Sequence, residues 1–375
     1  MKLKACKILS VLLCAVFVLS AVKLVGATST LSPTFTINNI SGKMAYDSGT
    51  GAIFLQYGID YAVVSVISDS NHAVVANVTT AESYGFNGGL VYDPGKGVVF
   101  AASGDAHSGG SGVPTITAIS DSNNSVVAAI SYSNFGNSAY NFPYEPTRMA
   151  YDSGKGEIFM IDPGSTYASG RVYIMSDSCY TLLSTNVGVG HSPGELVYDS
   201  GKGEIFVANG GDNTVTVISD SNNSVVETIN VGSGPCGLAY DSNTSEMFVY
   251  NSGDGTVSVI SDSTNTVVAN VTGIAKTYAA YTIAYDPSVG MVFAGNSGIT
   301  DNTNTVVAQH PASLGDLVFD SGKGEVFAVS ANSLAVFSDS SLVPEVGNLA
   351  MILVLFLGVS VSVVLIKSKK IRRAR

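Results

Sequence analysis

Aspartate recurs at two fixed places along the chain, and each copy is followed by Ser, Pro or Asn. The first set is Asp47, Asp93, Asp152, Asp199, Asp241, Asp286 and Asp320, and the second is Asp69, Asp121, Asp177, Asp220, Asp262, Asp301 and Asp339. Carboxylates are preferred calcium ligands, but an Asp in such a context also caps its own turn. We expect turn capping, because no EF-hand-like or nonapeptide calcium loop is present; cation binding is the alternative.

Other residues with catalytic potential are few and scattered. The histidines are His72, His107, His191 and His310, without short metal-ligand spacing. The sequence contains no Gly-x-Ser-x-Gly, His-Glu-x-x-His or phosphate-binding glycine loop. We therefore predict no catalytic residue, no metal site and no cofactor.

The elements that position these residues come from one repeated unit. Copies of the line Leu-Val-Tyr-Asp-Ser-Gly-Lys-Gly-Glu-Ile-Phe-Val begin at Met44, Leu90, Met149, Leu196, Leu238, Ile283 and Leu317, so the six steps average 45.5 residues. Each copy has four short runs rich in Val, Ile, Tyr, Phe and Thr, separated by Gly, Asn, Asp and Ser, which indicates four strands and their turns. Four strands in about 40–50 residues make one blade of a β-propeller.

The ends of the array predict a closed ring. The last copy stops after its third strand, and residues 34–38 align with the fourth strand of another copy, Glu227–Asn230. An N-terminal strand that completes the last blade removes open sheet edges. We therefore predict an all-β fold, a seven-bladed β-propeller over residues 34–340 that is closed by an N-terminal strand. Blade six is the weak copy, because its sequence predicts that most of its third strand is absent.

Three segments carry a resemblance to a known family. Phe206-Val207-Ala208-Asn209, residues 213–218 and residues 232–237 resemble the YVTN-type β-propeller repeats of archaeal surface-layer and other exported proteins. The resemblance covers residues 34–340, although Phe206 stands where the motif has Tyr and Ser-Asp-Ser replaces the usual aspartate after the third strand. It implies the propeller fold and a place at the cell surface.

The strand order gives the ring two different faces. The fourth-to-first and second-to-third connections share one face, here called the top, and both aspartate sets lie in turns of the other, the bottom. The top loops are longer and hold the aromatic residues Tyr57, Tyr84, Phe86, Tyr132, Phe135, Tyr140, Phe142, Tyr144, Tyr167, Tyr278 and Tyr281. Tyr-rich loops on a rigid scaffold are typical of a recognition surface, so these residues are our candidate binding site; packing against the blade edges is the alternative.

The same assignment separates the two remaining cysteines and exposes the sequons. Cys179 falls in a bottom turn and Cys236 in a top loop, too far apart for a disulfide. Cys6 and Cys14 are expected to leave with the signal peptide. The Asn-x-Ser/Thr sequons that we predict as glycosylation sites are Asn39, Asn77, Asn123, Asn222, Asn243 and Asn270.

Both ends of the chain are predicted to be targeting segments. Residues 1–27 combine early lysines, an apolar run and a small-residue cleavage site, which is typical of a signal peptide; an uncleaved anchor is the alternative. After a linker over 341–348, residues 349–366 are apolar or small and long enough for one transmembrane helix. The basic residues of 367–375 then place the tail in the cytoplasm. Val343-Pro344-Glu345 before this span also resembles archaeal sorting tails that are removed by processing.

Charge restricts the partners. The chain has a net charge of −11 and only 13% charged residues, and residues 28–343 carry eight Lys and Arg against 28 Asp and Glu. An acidic domain of this kind repels phosphate, so we predict no nucleic-acid partner.

These observations favour a non-enzymatic cell-surface propeller. We expect the propeller outside the cell, held in the membrane by the C-terminal helix, with the bottom face toward the membrane. Its outward loops would contact envelope proteins or glycans for adhesion or surface-layer structure. The alternatives are an exported lactonase- or lyase-like enzyme that uses the central channel, and a purely structural lattice subunit.

Overall fold

A computed structural model of the chain describes residues 29–30, 33, 35–38, 42–57, 63–80, 88–103, 115–131, 148–163, 169–274, 283–309, 315–330, 333–338, 351–357 and 360–366. These residues form thirty-one strands and no helix. Twenty-nine of the strands make seven sheets around one axis, so the chain is a seven-bladed β-propeller, as predicted. The predicted signal peptide over 1–27, the predicted linker over 341–348 and the predicted tail over 367–375 lie outside the described residues.

Four antiparallel strands build each blade in chain order. Blade one contains β3 to β6, which are Gly42–Asp47, Ala52–Tyr57, Val63–Ser68 and Val74–Thr79. Blade two contains β7 to β10, which are Leu90–Asp93, Val98–Ser103, Thr115–Ser120 and Val126–Ser131. Blade three contains β11 to β14, which are Met149–Asp152, Glu157–Asp162, Ser169–Ser176 and Leu182–His191. Blade four contains β15 to β18, which are Pro193–Asp199, Glu204–Asn209, Thr214–Ser219 and Ser224–Asn230.

The remaining blades follow the same order. Blade five contains β19 to β22, which are Pro235–Asp241, Glu246–Asn251, Thr256–Ser261 and Thr266–Val271. Blade six contains β23 to β26, which are Ile283–Asp286, Met291–Ala294, Ser297–Thr300 and Thr305–Gln309. Blade seven contains β27 to β29, which are Leu317–Asp320, Glu325–Ser330 and Ser333–Ser338, and β2, which is Phe35–Asn38.

Blade six is complete, contrary to the reading of its sequence. Its third strand β25 is shortened to four residues and still pairs with β24 and β26 on its two sides. A further strand, β1 (Ser29–Thr30), runs parallel to the outer strand β26. The sequence suggested a missing strand because Ser297–Thr300 includes a glycine and is too short to show a clear periodicity.

Closure by the N-terminal strand is confirmed. β2 pairs antiparallel with β29, and Phe35, Thr36, Ile37 and Asn38 stand opposite Val336, Ala335, Leu334 and Ser333. Because β2 lies near the start of the chain and β29 near the end of the array, their hydrogen bonds join the two ends of the ring.

Loss of this pairing is expected to open the ring. Replacing Thr36 and Ile37 together by proline removes two adjacent N–H groups, one of which must face β29 because neighbouring residues of a strand point to opposite sides. We expect the free energy of unfolding to fall by about 3 kcal/mol, measured by chemical denaturation. The matched control, Thr36→Ala with Ile37→Val, keeps both N–H groups and should stay near the parent. Equal stability of the two variants would show that β2 does not hold the ring closed.

The hydrophobic core lies between the blades. Seven clusters of buried side chains fill the interfaces between successive blades, including that between blades seven and one. The repeated Phe of the second strand is fully buried in them, as at Phe54, Phe206 and Phe327. The closing interface is therefore packed like the six others, which explains why each copy repeats the same Ile-Phe-Val run.

The Asn of the Phe-Val-Ala-Asn motif has a structural role. Asn209 is fully buried, and its side-chain amide donates to Thr214 Oγ1 at 3.1 Å and to Thr216 Oγ1 at 2.8 Å. Its Oδ1 accepts the N–H of Gly190 at 3.0 Å. Asn251 makes the equivalent bonds in blade five. The motif therefore fixes the top hairpin of a blade.

The last two strands differ in form from the predicted membrane helix. β30 (Met351–Leu357) and β31 (Ser360–Ile366) pair as an antiparallel hairpin, so the transmembrane helix over 349–366 is not confirmed. Within the part of the chain that the structure describes, no helix is long and apolar enough to span a bilayer. The stretch is rich in Val and Ile. Their β-branched side chains favour β-strands and are also apolar, so this composition fits a strand as well as an apolar span.

Candidate functional site

The first strand of every blade lines the axis of the ring. β3, β7, β11, β15, β19, β23 and β27 each contact the first strands of both neighbouring blades. Their starting ends lie at the top face, and their last residues lead into the bottom turns. A residue just before or at the start of a first strand therefore reaches the mouth of the central channel.

A cavity of about 190 Å³ occupies this mouth, and we call it the axial cup. Its lining consists of Lys43, Met44, Leu90, Arg148, Met149, Glu195, Leu238, Ile283, Asp316 and Leu317. Six of these are apolar residues from the first position of the repeat, and the other four are charged. The apolar residues are largely buried, so the surface of the cup is almost entirely polar and carries two cations and two anions.

Arg148 connects the charged residues across the axis. Its Nε lies 2.9 Å from Glu195 Oε2 in blade four, and one of its terminal nitrogens lies 3.4 Å from Asp316 Oδ1 in blade seven. The other carboxylate oxygens accept backbone N–H groups, Glu195 Oε1 from Leu196 at 3.2 Å and Asp316 Oδ2 from Met44 at 2.9 Å. The four contacts hold side chains from three blades in one network.

Burial changes the acidity of this network. The exposed fraction of Arg148 is only 6%. Burial raises the pKa of Glu195, and the facing Arg148 opposes this rise. Burial, followed by repulsion from Arg148, lowers the pKa of Lys43 to about 8. Perturbed groups that share a cavity are typical of functional sites.

A glycine in blade two allows Arg148 to stand so close to the axis. A Cβ atom on Gly89 would lie 2.8 Å from the backbone carbonyl carbon of Arg148 and 2.9 Å from its Cα. Real Cβ contacts essentially never fall below 3.0 Å. The close approach of the two blades at this point therefore requires glycine.

Sequence reasoning missed the axial cup. Its four charged residues occupy the position directly before the first apolar residue of the repeat, where the other copies have Gly89, Gly237 and Thr282. Four charges at one repeat position are notable in a chain with 13% charged residues. The sequence signal that could have found these four residues is the variation at this one position of an otherwise constant repeat.

The predicted aromatic site lies almost entirely outside the described residues. Tyr57 is the last residue of β4, and its side chain is not among those described. The ten other aromatic candidates, Tyr84, Phe86, Tyr132, Phe135, Tyr140, Phe142, Tyr144, Tyr167, Tyr278 and Tyr281, lie outside the described residues. Their loops join strand ends at the top face, so this site stays a prediction.

The first aspartate set caps turns, as predicted. All seven members are fully buried. Asp199 is typical: its Oδ1 accepts the N–H of Gly201 at 2.8 Å and that of Lys202 at 3.2 Å. The same pair of bonds recurs in blades one, two, three, five and seven. In blade six, Asp286 accepts the N–H of Ser288 at 2.9 Å.

A belt of tyrosines joins the two aspartate sets between blades. Tyr198 of blade four donates to Asp220 at 3.4 Å and faces Asp152 of blade three. We define the tyrosine belt as Tyr46, Tyr92, Tyr151, Tyr198, Tyr240 and Tyr285, which share this placement. Phe319 holds the same position in blade seven. Burial first, and then the facing carboxylates, raise the pKa of each belt phenol well above its usual range.

Lysines from the first turns contact four members of the second aspartate set. Lys96 Nζ lies 2.6 Å from Asp177 Oδ1 in the next blade, and Lys202 Nζ donates to the carbonyl oxygen of Asp262 at 2.7 Å. Lys155 reaches Asp220, and Lys323 reaches Asp69 across the closing interface, in the same way. The predicted acidic bottom is therefore largely tied into contacts between blades. Asp339 lies outside the described residues.

The histidines that the structure describes are on separate blades. His72 lies in a bottom turn, as predicted, with Nε2 3.0 Å from Glu325 Oε2 of blade seven. His191 is exposed at the top, and its Nδ1 lies 3.0 Å from Asp212 Oδ1. His107 and His310 lie outside the described residues. Among the residues that are described, no group of three or more His, Cys, Asp or Glu is arranged to hold a metal ion.

The two cysteines of the propeller are not bridged, as predicted. Cys179 is exposed in a bottom turn, and its Sγ lies 2.9 Å from Thr181 Oγ1. Hydrogen bonds from Ser176 and then Thr181 lower its pKa to about 7. Burial raises the pKa of Cys236.

These environments predict unequal thiol reactivity. At pH 7 we expect iodoacetamide to alkylate Cys179 at least tenfold faster than Cys236, because the thiolate is the nucleophile and only Cys179 is exposed. Peptide mass spectrometry at successive times measures both rates. Cys179→Ser should leave only the slow reaction; comparable rates at the two sites would contradict the prediction.

The predicted glycosylation sites are accessible where they are described. Asn77, Asn123, Asn222, Asn243 and Asn270 are all exposed. Asn39 lies outside the described residues. Exposure meets the steric requirement for glycan attachment, and modification itself stays a prediction.

The fold defines the class of protein: the chain is a seven-bladed β-propeller with a polar cup at one end of its axis. Comparison of the chain with protein-family models and with curated proteins finds no match. The site must therefore be interpreted from its own residues.

Proposed function

We propose that the chain is an exported, membrane-anchored β-propeller whose top face binds glycans or proteins of the cell envelope. The observation that carries the proposal is the axial cup, which lies at the face where the long aromatic loops attach. Ligand sites use a small number of placed polar groups to fix the orientation of a ligand, and the cup holds four charged side chains.

The two ends of the sequence support the location. Residues 1–27 have the pattern of a signal peptide, and 349–366 followed by a basic tail have that of a membrane anchor. In a bilayer a helix satisfies all its backbone hydrogen bonds, so we propose a helical span there. The resemblance to YVTN-type repeats of archaeal surface proteins supports the same place at the cell surface.

Binding is favoured over catalysis by how the carboxylates are held. Glu195 and Asp316 each form an ion pair with Arg148 and each accept a backbone N–H. Such a network fixes the acceptors in place, which suits the positioning of a ligand. We therefore assign no catalytic residue, no metal and no cofactor to the proposed function.

Orientation is tested on whole cells that make the full chain. We expect added protease to cut first within 104–114 or 132–147 of the top face, and the fragments can be identified by mass spectrometry. First cleavage in the bottom turns would overturn the proposed orientation.

Binding is tested with the full chain in detergent and purified envelope glycans and proteins. We expect replacement of 132–147 by a short Gly-Ser linker to reduce capture. The control carries the same linker inserted after Asn222, in an exposed bottom turn, and should retain it. Equal capture by both variants would contradict binding at the top face.

An exported lactonase- or lyase-like enzyme acting in the cup is the second candidate. The lowered pKa of Lys43 and the raised pKa of Glu195 favour it, since acid–base catalysis uses groups shifted toward neutral pH. Turnover of a lactone panel by the full chain, lost in Glu195→Gln, would support this candidate against the first.

A further inference from the structure

We propose that the axial cup binds one neutral hexopyranose residue, whose hydroxyls accept hydrogen bonds from Lys43 and Arg148 and donate to Glu195 and Asp316. This inference rests on the proposed binding function of the top face and names its ligand class. It is argued from the charge, the polar groups and the size of the cup.

Charge balance favours a neutral ligand. Lys43 and Arg148 offset Glu195 and Asp316, so the four side chains of the cup sum to zero. A ligand with one net charge would add an uncompensated charge to a buried site, which is costly. A neutral ligand leaves the balance unchanged.

The polar groups match the chemistry of sugar hydroxyls. A hydroxyl both donates and accepts, so adjacent hydroxyls can donate to a carboxylate and accept from a cation at once. Glu195 and Arg148 offer this combination 2.9 Å apart, and Asp316 lies on the other side of Arg148. Hydrogen bonds to charged groups are roughly twice as strong as those between neutral groups.

The size of the cup restricts the ligand to one ring. Its volume of about 190 Å³ is slightly larger than that of a cavity of about 150 Å³ that binds benzene, so it suits one six-membered ring. A second ring of a disaccharide would extend beyond it. A longer glycan would therefore insert only its terminal residue, with the remainder among the top loops.

The test measures binding of methyl hexopyranosides to the full chain in detergent by saturation-transfer NMR and calorimetry. Methyl glycosides of glucose, galactose and mannose are compared with those of the matching uronic acids and hexosamines. We expect at least one neutral glycoside to bind, and its charged analogues to bind about tenfold or more weakly. Absence of neutral binding, or tighter binding of a charged analogue, would overturn the inference.

Variants locate the site. Glu195→Gln should weaken the neutral glycoside about tenfold or more, because a charged acceptor is lost. Glu227→Gln, on the exposed outer strand of the same blade, is the matched control and should bind like the parent. Equal binding by all three proteins would place the sugar elsewhere and overturn the inference.

Two further measurements complete the test. One distinguishes a glycan end from a free sugar as the natural ligand, and the other distinguishes failure of this inference from failure of the proposed function. An oligosaccharide ending in the same sugar should bind tighter if the natural ligand is a glycan end, and equally if it is a free sugar; both results support the cup. Envelope capture that depends on the top loops, without glycoside binding, would overturn the cup alone. Glycoside binding in a chain whose top face is protected on whole cells would overturn the proposed orientation alone.

Discussion

Arg148→Met is expected to lower the free energy of unfolding by about 3–5 kcal/mol, the usual cost of removing one partner from a buried ionic group. Arg148 is 6% exposed and is the shared counter-ion of Glu195 and Asp316. Methionine leaves two carboxylates facing each other in a largely buried cup. Denaturant unfolding at pH 7 measures the loss.

A compensated variant separates charge from packing. In Arg148→Met with Glu195→Gln and Asp316→Asn, the three replaced side chains are neutral and of similar size, and only Lys43 stays ionisable in the cup, so we expect part of the lost stability to return. If the triple variant is no more stable than Arg148→Met, the loss comes from packing rather than from uncompensated charge.

The effect should also depend on pH with a defined sign. Burial raises the pKa of Glu195 in the folded protein even when Arg148 is present. Removal of Arg148 raises the pKa of Glu195 further. An acid whose folded pKa lies above its unfolded value favours folding below the unfolded pKa and loses this as pH rises. The penalty of Arg148→Met should therefore shrink from pH 7 toward pH 4, and a constant penalty would contradict the assignment.

The fold could be predicted from the sequence because the unit that forms one blade is repeated seven times. Phe206 and its equivalents occupy one buried position per copy, and the second and third strands of their blade are almost entirely buried. Closure was also predictable, since the missing strand of the last copy reappears at residues 35–38. Local pattern and tertiary packing agree at these places.

The axial cup could not be predicted in the same way, because its contacts join distant parts of the chain. Arg148 meets Asp316 only after the ring has closed, and no local periodicity connects them. The copies are recognised by the residues that they share, whereas the cup depends on a position at which the copies differ. Comparing copies for differences would have singled out Lys43, Arg148, Glu195 and Asp316.

The tyrosine belt was hidden for a related reason. Tyr-Asp in the repeat reads as the end of a strand and the start of a turn. Only the packing of neighbouring blades places Tyr198 between Asp152 and Asp220. Both aspartate sets were expected on an acidic bottom face, because the sequence does not show which aspartates are buried.

Steep loss of stability above pH 10 is the second large effect that we expect, and its source is the tyrosine belt. Six of the chain's 18 tyrosines belong to it. Their folded pKa values are raised by burial and by facing carboxylates, whereas unfolded tyrosine ionises near pH 10. Their stabilising contribution is thus complete below pH 10 and is lost as pH rises. Each fully coupled phenol contributes at most about 1.4 kcal/mol per pH unit, reduced by partial exposure and solvent screening.

Ultraviolet absorbance of the phenolate, followed with far-ultraviolet circular dichroism, measures this transition. Exposed tyrosines should ionise first and the belt tyrosines together with unfolding. Lys43 acts earlier and in the opposite direction: its folded pKa of about 8 lies below the unfolded value, so its buried charge costs stability mainly below pH 8. Stability should therefore change little or rise slightly before the steep fall.

Single substitutions connect the alkaline transition to the belt. Tyr198→Phe removes one late-ionising phenol and should make the fall with pH less steep, and Phe319 in blade seven shows that the position accepts phenylalanine. Tyr180→Phe, outside the belt and packed edge-on against Phe100, is the matched control and should leave the slope unchanged. Equal slopes for the two variants would mean that the alkaline transition has another cause. A gentler slope in Tyr198→Phe alone would show that the phenols between neighbouring aspartates couple the blades to the ionisation of the whole ring.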